Sequence, residues 1–535
     1  MTFRSIRTAG CAALFGASVP SALAQPPAGP LASPRMAPPV AVDPVPPTPK
    51  LYQPHPGRKA PAPTAVKPNP PASPYQPTKA AYPIDLPTAL RLADADNPTA
   101  NVARARVGQA LAELDRARVA WVPNLTFGPS FFHHDGIDQN RRGDVFSVDR
   151  GNFAVVGGPT ARFDLGDAFY LPLVGRRLAE AAGSRSRAVT NSVQLDVAVA
   201  YLDLVEQHGL LAINADILDK AEQVLTAAEA GARAGVNKTA ADVNRAATEV
   251  NLRREERAVL RGRAAAAGAR LSGLLLLDPA VELTPFELAV VPVFMVPGGL
   301  TLDQLVETGL RARPEVAAAG AELQAAQALT RQARITPLLP RVEAQFLGGG
   351  FSGWRQGGRP EDVTAMRGQY NAGAALVWQL DNLGFGNAAE IRARDAGYAA
   401  ALYRVREVQA RVSVEVAEAA RTSAARFDAL APAQDAVRQA QEMYRKFRET
   451  SFGMVGPRGQ FDALEPLTAV QALNQTRVEY LRQVVEFNRS QFRLYAAIGQ
   501  PALAGLDAAV PQVTDVPVVP GVDIQPRNSA PAARP

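Results

Sequence analysis

The sequence predicts a mainly α-helical protein with a membrane β-barrel, made by running one unit twice: a helix, two strands and a long helical hairpin. Three observations predict it. Leu86, Leu90 and Asn97-Pro98 recur as Leu302, Val306 and Arg313-Pro314 at a single offset. After each copy come two stretches in which apolar residues alternate. After those run heptad-like apolar seams too long for a compact core.

The short helices come first. After Pro98, the residues Ala103, Val107, Ala110, Leu114 and Ala117 step by four and three; after Pro314, so do Ala319, Leu323, Ala326, Thr330 and Ala333. That spacing keeps one stripe of a helix toward a partner, and small side chains on it allow close approach. Both runs stop at a proline, Pro123 and Pro340, which lacks an N–H and clashes with the preceding turn.

Strands follow. Leu125, Phe127 and Phe131 alternate, then Phe153, Val155, Ala161 and Phe163; in the second unit Val342, Ala344 and Phe346 do so, then Ala372, Ala374, Leu376, Trp378 and Leu380. Period two predicts strands with two unlike faces. The polar, glycine-bearing stretches His133–Gly151 and Gly348–Gly368 read as long hairpin loops. Pro129 and Pro159 fall inside the first pair, where a proline removes a ladder donor and marks an edge, bulge or rim.

Helix then resumes. From about Arg176 to Ala230 one heptad register holds Val193, Val197, Ala200, Leu204, Leu211, Leu218, Ala221 and Leu225, interrupted by Gln207 and Asn214. Such a helix is roughly 80 Å long. A turn over Ala234–Thr239 reverses it, and a second helix returns over about Ala241–Leu277. The second unit does the same over about Asn387–Phe452, turns at Gly453–Gly459, and returns through Asp462 to Ile498.

The flanks have another character. A basic start with Arg4 and Arg7, a short apolar run and Ala22-Leu23-Ala24 form a Sec-type signal peptide. The only cysteine, Cys11, lies inside it, too early for lipidation, so the exported chain has no thiol or disulfide chemistry. Residues 25–82 are roughly one-third proline and cannot bury a core. The expected organisation is a signal peptide (1–24), a Pro-rich disordered linker (25–82), a first repeat (83–277), a connector (278–299), a second repeat (300–506) and a disordered Pro-rich tail (507–535).

Composition excludes several classes. The net charge of +6 comes from scattered arginines, with no dense basic run interleaved with aromatics, so nucleic acid is not an expected partner. No apolar run of about 18 residues follows the signal. A bilayer would therefore be crossed only by a closed barrel, since open sheet edges leave unpaired backbone groups in lipid. Four strands cannot close; three chains supply twelve. The fold expected is a trimer whose 12-stranded barrel continues into an α-helical tunnel.

Several motifs then coincide. Leu86…Asn97-Pro98 resembles the opening of the TolC-like outer-membrane efflux protein family, as do Pro123 and Pro340 at the helix-to-strand steps. Phe163-Asp164-Leu165-Gly166 and Leu380-Asp381…Gly384 resemble its F-D-x-G-G return to the long helix, the second without adjacent glycines. Gly235…Asp242-Val243 and Arg458…Asp462…Glu465 resemble its hairpin tips, with Pro466 in place of the usual Ala, and Leu494…Ile498-Gly499 resembles its ending. The resemblance covers about residues 82–500. It implies an outer-membrane homotrimer with a periplasmic tunnel, surrounded by outer-membrane lipid. Its implied role is a passive conduit in a tripartite efflux pump or type I secretion system, docked on a periplasmic adaptor and through it on an inner-membrane transporter.

The resemblance also implies a periplasmic gate formed by Asp242, Asp462 and Glu465 with Arg458. Three copies of an acidic group in one pore repel one another and attract cations; an arginine can latch across a helix interface. Asp242 and Asp462 also stand near helix starts, where a carboxylate caps free N–H groups, and the two roles are compatible. No tyrosine stands where such a latch would have one; Phe452 and Gly453 occupy that stretch. Trp354 and Trp378 are candidates for an aromatic girdle at the bilayer surface. His133 and His134 read as solvated loop residues rather than a metal site. No catalytic constellation, phosphate loop or cofactor motif appears, so the protein is not expected to be an enzyme. The competing reading is an envelope coiled-coil structural or adhesive protein without a pore, which explains the heptads but not the duplicated strands.

Overall fold

Each half of the chain opens the same way. The computed structural model describes residues 81–233, 240–286, 290–354, 365–453 and 464–508, all within one unit, Pro74–Pro535. The signal peptide, most of the linker and most of the tail lie outside the described residues. Helices α1 (Leu86–Asp96) and α5 (Leu302–Ala312) are each followed across one residue by α2 (Pro98–Arg118) and α6 (Pro314–Ile335). Asp85 starts α1 by accepting the Thr88 N–H at 3.0 Å. Thr301 and Gln304 cap α5 reciprocally. A proline opens α2 and α6, where no donor is needed.

Strand β1 (Tyr82–Ile84) pairs in parallel with β4 (Leu283–Pro285). Thus Tyr82, which composition assigns to the linker, begins a strand, and the connector contains another. Three residues are too few to show alternation. Beyond β4 the connector is held by side-chain amides. Asn488 accepts from Val293 N–H at 2.8 Å and donates to the Val291 carbonyl at 2.9 Å, and Gln491 accepts from Met295 N–H at 3.1 Å.

The long helices dominate. Helix α3 (Leu165–Arg233) has 69 residues, about 104 Å. It begins at Leu165 rather than near Arg176 and carries Pro172 in its third turn, where the ring removes one backbone hydrogen bond without ending the helix. It pairs with α4 (Ala240–Leu275). In the second half, one helix is expected over Asn387–Phe452, and two are found: α7 (Phe385–Asp428) and α8 (Leu430–Gly453). The break at Ala429 precedes Pro432, which offers no N–H to the Asp428 carbonyl. Helix α9 (Leu464–Ala497) returns, and α10 (Ala502–Ala508) closes the described chain.

The main core runs along α1, α3, α4 and α9 and buries Leu90, Tyr201, Leu204, Ile217, Leu271, Leu473, Val485 and Phe492. The predicted α3 seam is buried, Val193, Val197 and Leu204 in this core and Leu218 and Ala221 in a smaller cluster with Val250. Its polar interruption, Asn214, is also buried and donates to the Arg253 carbonyl and to Glu256.

One four-stranded antiparallel sheet has the order β2 (Asn124–Gln139), β3 (Val145–Asp164), β5 (Arg341–Trp354), β6 (Arg367–Val377). The hairpin loops are shorter than predicted. His133 pairs with Gly151, and pairing continues to Gln139 with Val145. The turn is only 140–144, closed by Asn140 Oδ1 accepting the Arg142 and Asp144 N–H groups. His133 and His134 are therefore strand residues, and Gly348–Gly353 also belong to β5. The outer strand ends mix polar and apolar residues on both faces, Ile137 and Val145 on one and Phe146 and Val148 on the other, which erases the alternation without breaking the ladder. Pro129 pairs opposite Val155, and Pro159 opposite Leu125.

Candidate functional site: a two-faced sheet on helical hairpins

Register assigns the faces. Residues directly opposite on antiparallel strands share a face, and neighbours along a strand alternate. Leu125, Phe127 and Phe131 therefore share a face with Phe153, Val155 and Phe163. The β3–β5 and β5–β6 registers extend it to Val342, Ala344, Phe346, Tyr370, Ala372, Ala374 and Leu376. Every apolar residue of the predicted alternations that lies in these strands falls on this one face. Leu125 and Phe127 are 81% and 80% exposed, so the face has no cover within the chain.

The opposite face carries Asn124, Thr126, Thr160, Arg162, Asp164, Arg341, Glu343, Gln345 and Asn371. Its charges at the helix end pair across the β3–β5 seam: Arg162 with Glu343 at 3.3 Å and Arg341 with Asp164 at 3.2 Å. The seam is tight. A Cβ at Gly158 or Gly349, both on the polar face, would meet the Phe346 or Val155 carbonyl oxygen of the neighbouring strand. Among the described residues, the outer edges of β2 and β6 pair with nothing.

The elbows between sheet and helices are apolar and exposed. Trp378, one residue past β6, is 61% exposed; Leu380, Leu383 and Phe385 follow it. Asn382, Leu383 and Gly384 all have positive φ, which turns the chain sharply into α7. The matching turn into α3 is direct. Trp121 and Phe169 are exposed at the other elbows. Trp354 ends β5 opposite Gly151, far from Trp378; its side chain lies outside the described residues.

At the end of the first helical hairpin, Asp242 stands in the first turn of α4, buried to 9% exposure and ion-paired to Arg245 at 3.3 Å. Glu465 stands in the first turn of α9 and is exposed. Both first-turn carboxylates face the positive helix end. Arg458 and Asp462 lie outside the described residues, so the four gate candidates are not brought together here.

Sequence reading missed the polar layers that join the two hairpins. Asp216 on α3 accepts from Lys220 at 2.6 Å and from Arg477 on α9 at 2.5 Å. Glu249 on α4 accepts from Arg253 at 2.7 Å and from Gln471 at 2.8 Å. Arg489, nearly buried on α9, meets Glu206 at 2.7 Å, Asp203 and Glu486. Charged residues at seam positions were the available signal. Among the described residues no group of three or more His, Cys, Asp or Glu is arranged to hold a metal ion. No helix among them is long and apolar enough to cross a membrane.

Known proteins place this arrangement. Residues 89–275 match the outer membrane efflux protein family. The fold is similar to the outer-membrane channel OprN at 21% identity and a TM-score of 0.62, covering 78% of this chain and 90% of that one. The Campylobacter jejuni CmeC outer membrane channel gives 15% identity and 0.64, covering 77% and 85%. The Vibrio cholerae outer membrane protein VceC gives 16% and 0.61, covering 78% and 96%. At these identities the likeness is one of fold. No curated protein matches in sequence.

Proposed function

We propose that the chain, whose residues 89–275 match the outer membrane efflux protein family, works as a TolC-like channel rather than an enzyme, and that three copies close a 12-stranded barrel in the outer membrane. The observation that carries this is the two-faced sheet with two free edges. A bilayer accepts strands only when every backbone group is paired, and the β6 edge of one copy can take the β2 edge of the next. The apolar face then meets lipid, with Trp378 at its inner rim, and the polar face lines a lumen. The α3–α4 and α7–α9 hairpins of repeats 83–277 and 300–506 extend the lumen as a periplasmic tunnel. The tunnel narrows at Asp242 and Glu465, joined by Asp462 and Arg458. The conduit is passive. It docks on a periplasmic adaptor serving an inner-membrane transporter, in an efflux pump or type I secretion system.

Negative-stain imaging of the detergent-extracted outer-membrane protein tests this. The expected particle is threefold, a short barrel on a tube of about 100 Å. A soluble monomer or a solid rod would overturn the channel and favour a poreless envelope coiled coil.

A further inference from the structure

We propose that the lumenal face carries, near the outer end of the barrel, a belt that binds aromatic anions, built in each chain from Phe132, Phe351 and Arg367. It rests on the closed-barrel reading, which turns this face inward. Register puts all three residues on the polar face: Phe351 lies directly opposite Arg367, and Phe132 is at the level of Asn152 and Gly353. Only β3 separates the two phenylalanines, about 10 Å across the sheet, and it presents Asn152 and Ala154 between them. The Phe351 ring leans toward Gly353, where a Cβ would be 3.8 Å from its edge.

Like Phe146, Val156 and Leu347, these phenylalanines interrupt a mostly polar face. Phe132 is 49% exposed and Phe351 40%, so neither serves as core, and neither faces the lipid side. Arg367 is exposed and, among the described residues, has no hydrogen bond or ion pair. The other charges of this face are neutralised: Arg162 by Glu343 and Arg341 by Asp164 at the inner end, Arg150 by Asp138 at 3.4 Å at the outer end. Among the described residues, Arg367 is thus a cation without a counter-charge, beside flat apolar surface. A planar ring stacks on or abuts phenylalanine, and a carboxylate or sulfonate takes the guanidinium fork. An organic cation meets the same rings without a free carboxylate. Weak, repeated sites of this kind hold cargo briefly and let it leave, as conduction requires.

The full-length channel in planar bilayers tests the belt, probed with 2-naphthalenesulfonate, a naphthyl-trimethylammonium ion and methanesulfonate. Only naphthalenesulfonate should interrupt the current resolvably. Its dwell time should fall about tenfold in Arg367→Gln and in Phe132→Ala/Phe351→Ala, with unitary conductance unchanged within the variants' noise. Equal interruption by the ammonium ion or by methanesulfonate would overturn the proposal, as would dwell times unmoved by the substitutions. A poreless particle in negative-stain images would overturn the barrel reading, and with it a belt that has no lumen to line.

Discussion

Asn97 and Arg313 hold the same place in the two repeats, between a short helix and the proline that opens the next, and they bond differently. Asn97 Oδ1 accepts the Thr99 and Ala100 N–H groups at 2.9 and 3.3 Å while its Nδ2 donates to the Leu274 carbonyl at 3.0 Å. It therefore splices the end of α4 onto the start of α2. Arg313 makes no cap bond; its guanidinium reaches across to Glu415 on α7. A cavity of about 330 Å³ opens beside it, lined by Glu415, Glu418, Thr422, Ser490 and Arg493. Asn97→Ala should cost about 1–2 kcal/mol. Arg313→Ala, which breaks an ion pair with a partly exposed partner, should cost no more than about 1 kcal/mol. Thermal unfolding of both variants in the same detergent checks the order, and a reversed order would discard the splice argument.

Arg489 is the costliest ionic residue to remove. Glu206 is its most buried partner, and Asp203 and Glu486 are more exposed. Arg489→Leu leaves three carboxylates converging on an apolar side chain and should cost about 2–4 kcal/mol, below the full penalty of a buried broken pair because water reaches two of the acids. Adding Glu206→Leu should recover part of the loss. A double variant no more stable than the single would show that packing, not charge, fixes this position.

The tube was legible because a heptad seam is written in side chains that must be buried. Val193, Val197, Leu204 and Leu218 were chosen on spacing and are buried on α3. The faces of the sheet were legible for the same reason: Leu125, Phe127, Val342 and Phe346 alternate because one side is apolar. Where burial places no such demand, the pattern fell silent. The hairpin tip from His133 to Gly151 is paired backbone on either side of the 140–144 turn, with polar and apolar side chains mixed on both faces, and it reads as loop. Phe132 and Phe351, lying out of phase with the apolar register, gave no periodic signal. Of the tip residues, only Asp242 and Glu465 can be located.

His208 links stability to acidity. Burial holds its imidazole below the usual histidine range, partly offset by the Glu282 charge and a bond to the Leu283 backbone. The folded chain therefore binds this proton less readily than the unfolded one. Stability contributed by the neutral ring is present above the unfolded value and is lost as pH falls through it toward the lowered folded value. Melting at pH 7.5 and 5.5 should show a smaller acid-induced drop in His208→Gln than in the parent; an equal drop would assign the acid sensitivity to other groups.

The β3–β5 seam joins the two repeats, and its spacing sets a steric limit that strand propensity opposes. Alanine or valine would favour an extended chain over glycine at position 349. A Cβ there, however, would fall on the Val155 carbonyl oxygen and 2.8 Å from Val156 Cα. Both contacts are backbone, so no side chain can swing away to relieve them. The strands would have to separate, breaking the ladder that a bilayer requires to be complete. Gly128 lies on the same face of β2 and has nothing within 4 Å of its Cβ position. Gly349→Ala should therefore lose the proposed outer-membrane trimer on semi-native electrophoresis, while Gly128→Ala keeps it. Because the two substitutions add the same methyl group to the same kind of strand, only the seam's closeness separates them, and equal assembly would remove that closeness as a constraint on the barrel.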